Sequence, residues 1–313
     1  MRAVVVRSFG GPEVLVAEDT LDPEPGPGDA LVDVTFACVT FVETQIRAGL
    51  FGSRPLPWIP GNGVGGTVVA VGAGVNGSWV GRSVVATTGG SGGYAGRALV
   101  QGRDLVGVPD GMELADAVAL LADGRTATLL RDAAGETAGR RVLVLAAGGG
   151  VGSLLVQSTV RDAAEVVGAA GGGPKEALIG SLGATYADYR RAGWEQRVGP
   201  VDVLFDGVGG DAGTAATTLV RPGGRVLRYG FAGGADSEPS AERLEALGVS
   251  VSVLAGAPAP ERNLVLIRRA LDLAVAGAWR PLVGQVVPLE SASEAHARIE
   301  SRRTFGKTLL DAR

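Results

Sequence analysis

The chain has 313 residues, a formal net charge of −4 and 46% hydrophobic residues, so it is long enough for two domains. The acidic balance argues against a nucleic-acid partner or a membrane surface, because both need a basic patch. The single cysteine, Cys38, excludes an internal disulfide. A catalytic zinc needs about three Cys, His or carboxylate ligands, and His296 is the only histidine, so we expect no metal. No apolar run is long enough for a signal peptide or a membrane span, which predicts a cytoplasmic protein.

The first hundred residues alternate short β-rich segments with turns. The segments are residues 4–6, 30–34, 67–71 and 83–86, and the turns include 23–28 and 72–74. Valine-rich runs bounded by glycine and proline predict strands. We therefore predict a β-barrel-like domain in this part of the chain.

The pattern changes near residue 114, where helical segments begin to alternate with short apolar strands. The predicted strands are residues 142–145, 166–169, 201–205 and 225–229. This alternation predicts a parallel sheet with helices on both faces. After about residue 260 we predict a helix at 263–276, a strand at 283–287, a helix at 291–301 and a strand at 307–310. We expect His296 to lie on the surface of the second of these helices, outside any catalytic site.

A glycine-rich turn follows the first predicted strand of this region. The spacing Ala146-x-x-Gly149-x-x-Gly152 leads directly from that strand into a predicted helix at 153–159. A small first residue permits the tight turn, Gly149 lets the backbone approach a pyrophosphate, and Gly152 allows close packing of helix on strand. The helix N-terminus offers N–H groups to the phosphates. The segment predicts a dinucleotide site.

The end of the next strand indicates which dinucleotide is bound. In NAD-binding folds an acidic residue about 20 positions after the glycines binds the ribose 2′-hydroxyl. Residues 168–175 contain no acid there but end in Lys175, and the chain has only one other lysine, Lys307. A lysine attracts a 2′-phosphate, so we predict NADPH.

Three other motifs are rejected because their structural context is wrong. Residues 61–66 fit G-x-G-x-x-G, but a strand follows instead of a helix. Residues 89–93 match a G-x-S-x-G nucleophile elbow, which must lie between a strand and a helix, and again a strand is predicted next. Residues 306–308 resemble the end of a P-loop without its leading glycine.

Several motifs occur in fixed order over essentially the whole chain: the glycine-rich turn and residues 46–50, 60–61, 65–68, 124–127, 182–184, 206–210 and 306–307. Together they resemble the zinc-free, quinone oxidoreductase-like branch of the medium-chain dehydrogenase/reductase superfamily. The resemblance implies an α/β protein. A GroES-like β-barrel catalytic domain would comprise residues 1–113 and 261–313, and an inserted Rossmann domain with a doubly wound parallel sheet would comprise 114–260. It also implies an active site in the cleft between the two, and a homodimer formed through edge strands, here running from Val249 to Leu254.

The resemblance also implies roles for individual residues. Tyr189 matches a position that holds the 2′-phosphate with Lys175, and Arg302 would join them from the terminal helix. Thr126 falls where the family contacts the nicotinamide half of the cofactor. The remaining matches are Gly149, Gly150, Val151 and Gly152 at the pyrophosphate turn, and Val208, Gly209, Tyr229, Gly230 and Phe231 around the nicotinamide ribose.

The departures from the family concern the substrate. Relatives often carry Asn, Tyr, Tyr and Glu where this chain has Thr40, Gln45, Phe51 and Gly63. Two phenolic hydroxyls and a carboxylate are thus lost, which favours a larger or more apolar acceptor than a usual quinone.

The expected reaction is hydride transfer from NADPH to the activated C=C of a quinone or an α,β-unsaturated carbonyl. Without a metal, the charge that develops on the carbonyl oxygen needs hydrogen-bond donors. The candidates are the Thr40 hydroxyl, the Gln45 amide and a backbone N–H, and the sequence does not choose among them. One alternative is an enoyl-thioester reductase acting on polyketide or fatty-acyl intermediates. Another is an NADPH-binding protein that senses redox state or serves a structural role after losing catalysis.

Overall fold

The chain divides into two units, each with its own apolar core. The computed structural model describes residues 1–52, 54–254, 256 and 258–313. Unit 1 comprises Met1–Gly124, Pro260–Val275 and Pro281–Arg313, and unit 2 comprises Arg125–Ala259 and Ala276–Arg280. This division differs from the predicted boundaries, since it assigns residues 114–124 and Pro260 to unit 1 and residues 276–280 to unit 2. The first boundary falls inside one continuous helix, so no change of pattern in the sequence marks it.

The strands in chain order are β1 (Arg2–Val5), β2 (Val16–Asp19), β3 (Asp29–Val39), β4 (Gly63–Val71), β5 (Ser83–Thr87), β6 (Arg97–Gln101), β7 (Val106–Gly107), β8 (Arg141–Leu145), β9 (Glu165–Ala169), β10 (Thr185–Ala187), β11 (Val201–Asp206), β12 (Val220–Arg228), β13 (Ser250–Val253), β14 (Val283–Pro288) and β15 (Lys307–Asp311). The helices are α1 (Phe41–Arg47), α2 (Leu114–Ala134), α3 (Gly150–Thr159), α4 (Pro174–Ser181), α5 (Trp194–Val198), α6 (Gly210–Thr217), α7 (Ala241–Ala246), α8 (Pro260–Val275) and α9 (Ala292–Glu300).

Unit 1 is built on a mainly antiparallel sheet. Its strand order is β14-β15-β3-β4-β5-β7, with β6 also paired to β3, while β1 and β2 form a separate pair. Strand β15, near the C-terminus of the chain, pairs with β3 from the N-terminal part, so the C-terminal segment completes the sheet. Val32, Val64, Val84 and Leu310 lie in the core and are fully buried. The predicted β-rich domain, completed by the C-terminal segment, is confirmed.

Unit 2 contains a six-stranded sheet in the order β10-β9-β8-β11-β12-β13, and every strand pair in it is parallel. The central strand β8 is buried from Val142 to Leu145, as expected when helices cover both faces of a parallel sheet. This confirms the predicted Rossmann-type sheet. Strand β13 lies at one edge, within the segment predicted as an edge strand, and its Val251 and Val253 side chains are exposed.

The rejected motifs have the local structure that the sequence predicted. Strand β4 begins at Gly63, inside the G-x-G-x-x-G match, and no helix follows. After the G-x-S-x-G match comes β6, which begins at Arg97 rather than at the predicted residue 94. A strand, β15, likewise begins at Lys307 in the P-loop-like segment.

Candidate functional site

The glycine-rich turn joins β8 to α3 as predicted. Ala146 adopts the left-handed conformation, with φ 54°, which is uncommon for a residue with a side chain. The turn is closed by a hydrogen bond from Gly149 N to Ala146 O at 2.9 Å. Since the first N–H groups of an α-helix lack acceptors within the helix, those at the start of α3 are available for an anion.

Gly152 is required by close packing within this turn. A Cβ atom at this position would lie 2.2 Å from Ala146 O and 2.9 Å from Ala147 Cα, both backbone atoms. At Gly149 the nearest contact would be 3.3 Å from Ala146 O, so a side chain there would be crowded less severely. Gly152 thus packs closely against the turn, and its part in binding a dinucleotide stays a prediction.

Lys175 lies beside the turn. A Cβ atom built on Gly148 would come 3.0 Å from Lys175 Cδ, so the aliphatic part of the lysine passes along the second residue after Ala146. Lys175 is the second residue of α4, which follows the loop after β9. The structure thus brings the cation predicted to bind a 2′-phosphate next to the predicted pyrophosphate turn.

The loop between β9 and α4 also contacts the segment after β10. A Cβ atom on Gly171 would meet Arg190 Cδ at 3.0 Å and Tyr189 Cε2 at 3.2 Å. Tyr189 packs edge-on against Trp194, with ring centroids 6.5 Å apart. Lys175, Tyr189 and Arg190 therefore border one loop. Sequence reasoning missed Arg190, although a basic residue directly after the matched tyrosine was a signal for it.

Asp188 organises this part of unit 2. Its buried carboxylate accepts hydrogen bonds from Gly172 N at 3.3 Å and Arg190 N at 3.0 Å, and ion pairs join it to the exposed Arg190 and Arg191. Burial alone would raise the pKa of Asp188, but these hydrogen bonds and the arginine charge together hold it below its usual value. Asp188 therefore stays ionised and fixes the loop that carries Arg190.

The loops after β11 and β12 contain five further predicted cofactor residues of this unit. Val208 N and Gly209 N both donate to Asp206 Oδ1 at 2.9 Å, and Gly209 has φ 67°. The Tyr229 hydroxyl donates to Leu145 O at 3.0 Å, at the end of the strand that leads into the turn. Gly230 and Phe231 follow directly after it. Both loops thus begin at the carboxyl ends of central strands, where ligands bind in open α/β sheets.

The two remaining predicted cofactor residues lie in different units. Thr126 is half-buried in α2, within unit 2. Arg302 is exposed in unit 1, two residues after the end of α9, and has φ 57°. It therefore does not belong to the terminal helix, as was expected, but to the turn that follows it.

In unit 1, the predicted catalytic residue Thr40 caps α1. Its hydroxyl donates to Glu43 Oε2 at 3.0 Å, its backbone N–H donates to the same oxygen at 2.6 Å, and its oxygen accepts from Glu43 N. This reciprocal arrangement is a capping box. The other oxygen of the buried Glu43 carboxylate accepts from Asn62 N at 2.7 Å. Glu43 therefore connects the start of α1 to the loop before β4.

Behind Glu43 lies a buried pair formed by Tyr94 and His296. The Tyr94 hydroxyl lies 3.3 Å from Glu43 Oε2 and 3.0 Å from His296 Nε2. The expectation that His296 is a surface residue is wrong, because the imidazole is fully buried. One face of α9 packs into the core, and its polar partner there, Tyr94, is too distant in the sequence to be predicted. Burial, and then the charge of Arg47, lower the pKa of His296 to about 3.

The partners of His296 determine which group donates in each hydrogen bond between His296, Tyr94 and Glu43. His296 Nδ1 has no partner among the described residues. A buried N–H without an acceptor costs more than an unused lone pair beside a cation, so we assign the proton to Nε2. Nε2–H then donates to Tyr94, and Tyr94 donates to Glu43. Burial, opposed by the Thr40 and Asn62 N–H groups, raises the pKa of Glu43 above its usual value.

Two further buried cations of unit 1 have structural partners. Arg47 donates to Thr44 O at 3.2 Å and pairs with Glu300. Lys307 Nζ lies 3.0 Å from Asp123 Oδ1. Burial would lower the pKa of Lys307, but the Asp123 carboxylate outweighs that effect and holds it above its usual value. Of the two lysines in the chain, Lys307 thus belongs to a buried ion pair and Lys175 to the turn.

Gly63 is one of the four positions where this chain departs from the family pattern, and the missing side chain leaves no cavity there. A Cβ atom there would lie 2.6 Å from Cys38 Sγ and 2.8 Å from Leu121 Cδ2, so the space for a side chain is already filled. Gln45 is half-buried and its amide nitrogen donates to Thr44 Oγ1 at 3.0 Å, while Phe51 is half exposed. The carboxylate of Glu43 lies nearby and accepts a hydrogen bond from the neighbouring Asn62 N–H.

The described residues contain neither a metal-binding cluster nor a membrane-spanning helix. No three His, Cys, Asp or Glu side chains among them lie close enough together to hold a metal ion. None of the helices that the structure describes combines the length and the hydropathy needed to span a bilayer.

Comparison with known proteins defines the family. Residues 26–110 match the alcohol dehydrogenase GroES-like domain, and residues 182–310 match the family described as zinc-binding dehydrogenase. The chain is 30% identical to a quinone oxidoreductase of Pseudomonas aeruginosa over 97% of both chains. The structure of Escherichia coli quinone oxidoreductase complexed with NADPH is 26% identical, has a TM-score of 0.91, and is matched over 99% of this chain and 100% of that one. A mycobacterial protein complexed with NADPH is 30% identical, with a TM-score of 0.89 over 99% of each chain.

The chain therefore belongs to the medium-chain dehydrogenase/reductase superfamily of oxidoreductases, in its quinone oxidoreductase-like branch.

Proposed function

We propose that the protein is an NADPH-dependent, zinc-independent oxidoreductase that reduces the activated C=C of a quinone or an α,β-unsaturated carbonyl. The observation that carries the proposal is the placement of Lys175 beside the glycine-rich turn at Ala146–Gly152 of unit 2. When bound, NADPH supplies a hydride to the β-carbon of the acceptor. The chain's own residues have to hold the cofactor and stabilise the charge that develops on the acceptor.

The residues of unit 2 fit NADPH by their chemistry. The N–H groups of Gly150, Val151 and Gly152 at the start of α3 would bind the pyrophosphate. Lys175 and Tyr189 would hold the 2′-phosphate. The residues proposed for the nicotinamide half are Thr126, Val208, Gly209, Tyr229, Gly230 and Phe231.

Replacing Lys175 with alanine is expected to weaken NADPH binding. A charge-assisted hydrogen bond contributes about 1.5–3 kcal/mol, which corresponds to roughly a 10- to 100-fold change in affinity. NADH lacks the 2′-phosphate, so its affinity should stay the same. Titration of both nucleotides against the wild type and Lys175→Ala measures the difference. Equal losses for both, or no loss for either, would remove Lys175 from the 2′-phosphate site.

In unit 1, Thr40 and Gln45 are the proposed donors to the carbonyl oxygen of the acceptor. The Thr40 hydroxyl donates to Glu43, but Glu43 also accepts from two backbone N–H groups and from Tyr94. The hydroxyl can therefore turn to an acceptor without leaving the carboxylate unpaired. The Gln45 amide donates one of its two N–H hydrogens to Thr44, and the second would donate to the carbonyl oxygen of the acceptor. Water is the proposed source of the proton, since no described residue has the arrangement of a general acid.

Thr40→Val is expected to lower kcat for an enone by roughly tenfold or more, because it removes a hydrogen-bond donor to a developing charge while keeping the side-chain volume. The cap of α1 is lost as well, at a cost of about 1 kcal/mol of stability. Steady-state kinetics at saturating NADPH, with the thermal midpoint measured in parallel, separates the two effects. An unaltered kcat would exclude Thr40 from the mechanism.

The acceptor is identified by comparing kcat/KM for a small quinone, a simple enone and a crotonyl thioester with NADPH. Faster turnover of the quinone or the enone supports the proposal. Preference for the thioester would instead indicate an enoyl-thioester reductase, which uses the same cofactor and hydride chemistry. NADPH binding without turnover of any acceptor would indicate a protein that has lost catalysis.

We also propose a homodimer formed through the edge strand β13. Its Val251 and Val253 side chains are exposed, and exposed apolar edge strands are sites of pairing with another chain. Sedimentation equilibrium measures the mass directly. A small-molecule substrate and a cytoplasmic location complete the proposal.

A further inference from the structure

We propose that Asn62 is a catalytic residue whose side-chain amide donates a hydrogen bond to the carbonyl oxygen of the acceptor, beside Thr40. This inference rests on the proposed function. It concerns the loop before β4, where the G-x-G-x-x-G match at residues 61–66 was rejected as a nucleotide turn.

The first observation is the position of Asn62 relative to Thr40. The two oxygens of the Glu43 carboxylate accept the two backbone N–H groups, Asn62 N at 2.7 Å and Thr40 N at 2.6 Å. Two residues that are 22 positions apart in the chain are thereby held on one buried carboxylate. Glu43 is 4% exposed. Its carboxylate also accepts a hydrogen bond from the buried Tyr94 hydroxyl, which is bonded in turn to His296.

The loop that carries Asn62 is held from its other side as well. Tyr94 N donates to Pro60 O at 2.8 Å and Thr88 N donates to Asn62 O at 3.1 Å. Gly61 has φ 101°, and a Cβ atom there would lie 2.6 Å from Tyr94 Cδ1. The backbone of Asn62 is therefore fixed by neighbours on both sides, so its side chain projects from a well-defined position.

The second observation is that the Asn62 amide is exposed and is hydrogen-bonded by no group in the described part of the chain. Asparagine is common in loops because its side chain often bonds nearby backbone groups. Asn62 makes no such bond to any described residue, so a turn-forming role does not account for it. Neither of its two N–H hydrogens is bonded to a described residue, whereas the only Thr40 hydroxyl hydrogen is shared with Glu43.

The chemistry fits a donor to a developing oxyanion. As hydride adds to the β-carbon, the C=C electron pair shifts and negative charge forms on the carbonyl oxygen, while water supplies the proton to the α-carbon. The Asn62 amide gives up no proton in this step. It donates a hydrogen bond that strengthens as the charge develops, which lowers the barrier. Glu43 is a positioning residue, since it fixes Asn62 without contacting the acceptor.

Three substitutions at Asn62 test the proposal. Asn62→Ala removes the donor, Asn62→Asp keeps the shape but replaces the amide with a carboxylate, and Asn62→Gln keeps the amide. We expect kcat for an enone or quinone to fall roughly 10- to 100-fold in the alanine variant and further in the aspartate variant. Asn62→Gln should recover part of the loss. NADPH affinity and the thermal midpoint should stay close to wild-type values in all three, because the amide is exposed and makes no hydrogen bond to a described residue.

The outcomes separate this inference from the function on which it rests. If the wild type turns over the acceptor and Asn62→Ala does so within about twofold of the wild-type kcat, the inference is overturned and the proposed function stands. If kcat falls equally in the alanine and glutamine variants, the amide donor is likewise contradicted. If the wild type reduces no quinone, enone or thioester although it binds NADPH, both fail together.

Discussion

Replacing Gly152 with alanine is expected to reduce NADPH affinity about 100-fold. The new Cβ atom would lie 2.2 Å from Ala146 O and 2.9 Å from Ala147 Cα, and neither backbone atom can move without reshaping the turn. Overpacking of this kind costs about 1–3 kcal/mol, and at the upper end of that range the effect corresponds to about a 100-fold change in affinity. The fluorescence change of NADPH on titration with the protein measures it.

The matched control is Gly180→Ala in the same unit. Gly180 lies in α4, and a Cβ atom there would meet nothing within 4 Å. Alanine favours a helix over glycine by about 1 kcal/mol, so this variant should be slightly more stable and bind NADPH like the wild type. If Gly152→Ala binds as tightly as the control, Gly152 does not shape a cofactor turn.

His296 is expected to stay neutral throughout the physiological pH range. Its pKa is lowered to about 3, first by burial and then by the Arg47 charge. Because it is the only histidine of the chain, its ring C–H signals can be followed by proton NMR without further assignment. Between pH 8 and pH 4.5 these signals should not titrate. A midpoint near the ordinary value of 6.5 would contradict the buried contact with Tyr94.

This shift has a consequence for acid stability. Below pH 6.5 the unfolded chain binds a proton at His296, whereas the folded chain does not until about pH 3, so the histidine contribution to stability falls as pH falls. At about 1.4 kcal/mol per pKa unit, lowering the pH from 6.5 to 4.5 removes about 2 kcal/mol of the histidine contribution, because half of the unfolded histidine is already protonated at pH 6.5. Glu43 opposes this, because its raised pKa makes its contribution largest at low pH and lost as pH rises above 4.5.

The variant His296→Gln separates the two contributions. Glutamine offers Tyr94 an uncharged hydrogen-bonding partner and does not titrate. Urea midpoints of the wild type and the variant, compared at pH 4.5, 5.5, 6.5 and 7.5, should converge as pH falls, since only the wild type loses the histidine contribution. Parallel curves would show that His296 has the same pKa in the folded and unfolded chains.

The sequence predicted those parts of the fold that depend on residues close together in the chain. The strand, turn and helix around Gly152 depend on residues within one short segment, and the buried part of the central strand β8 is a continuous apolar run. The cation of Lys175 was recognised because an acid was missing from the same stretch. The position of the unit boundary within α2 was not predicted, since the helix pattern continues across it.

The hydrogen bonds that join Glu43, Tyr94 and His296 in unit 1 could not be predicted from the sequence, because these residues are distant in the chain. Glu43 and Tyr94 are 51 positions apart, and Tyr94 and His296 are 202 apart. A single histidine on an amphipathic helix gives no indication that its partner is a buried tyrosine. Arg190 differs in that its neighbours Asp188 and Tyr189 lie beside it in sequence, but its contact with Gly171 depends on the pairing of β9 with β10.

Isothermal titration calorimetry of the wild-type protein with NADPH and with NADH tests the central claim most directly, namely that the turn from Ala146 to Gly152 and the neighbouring Lys175 hold a 2′-phosphorylated dinucleotide. We predict saturable binding of one NADPH per chain and an affinity for NADH that is at least about tenfold weaker. Absence of any binding heat for NADPH over a range of temperatures, or equal affinities for the two nucleotides, would contradict it.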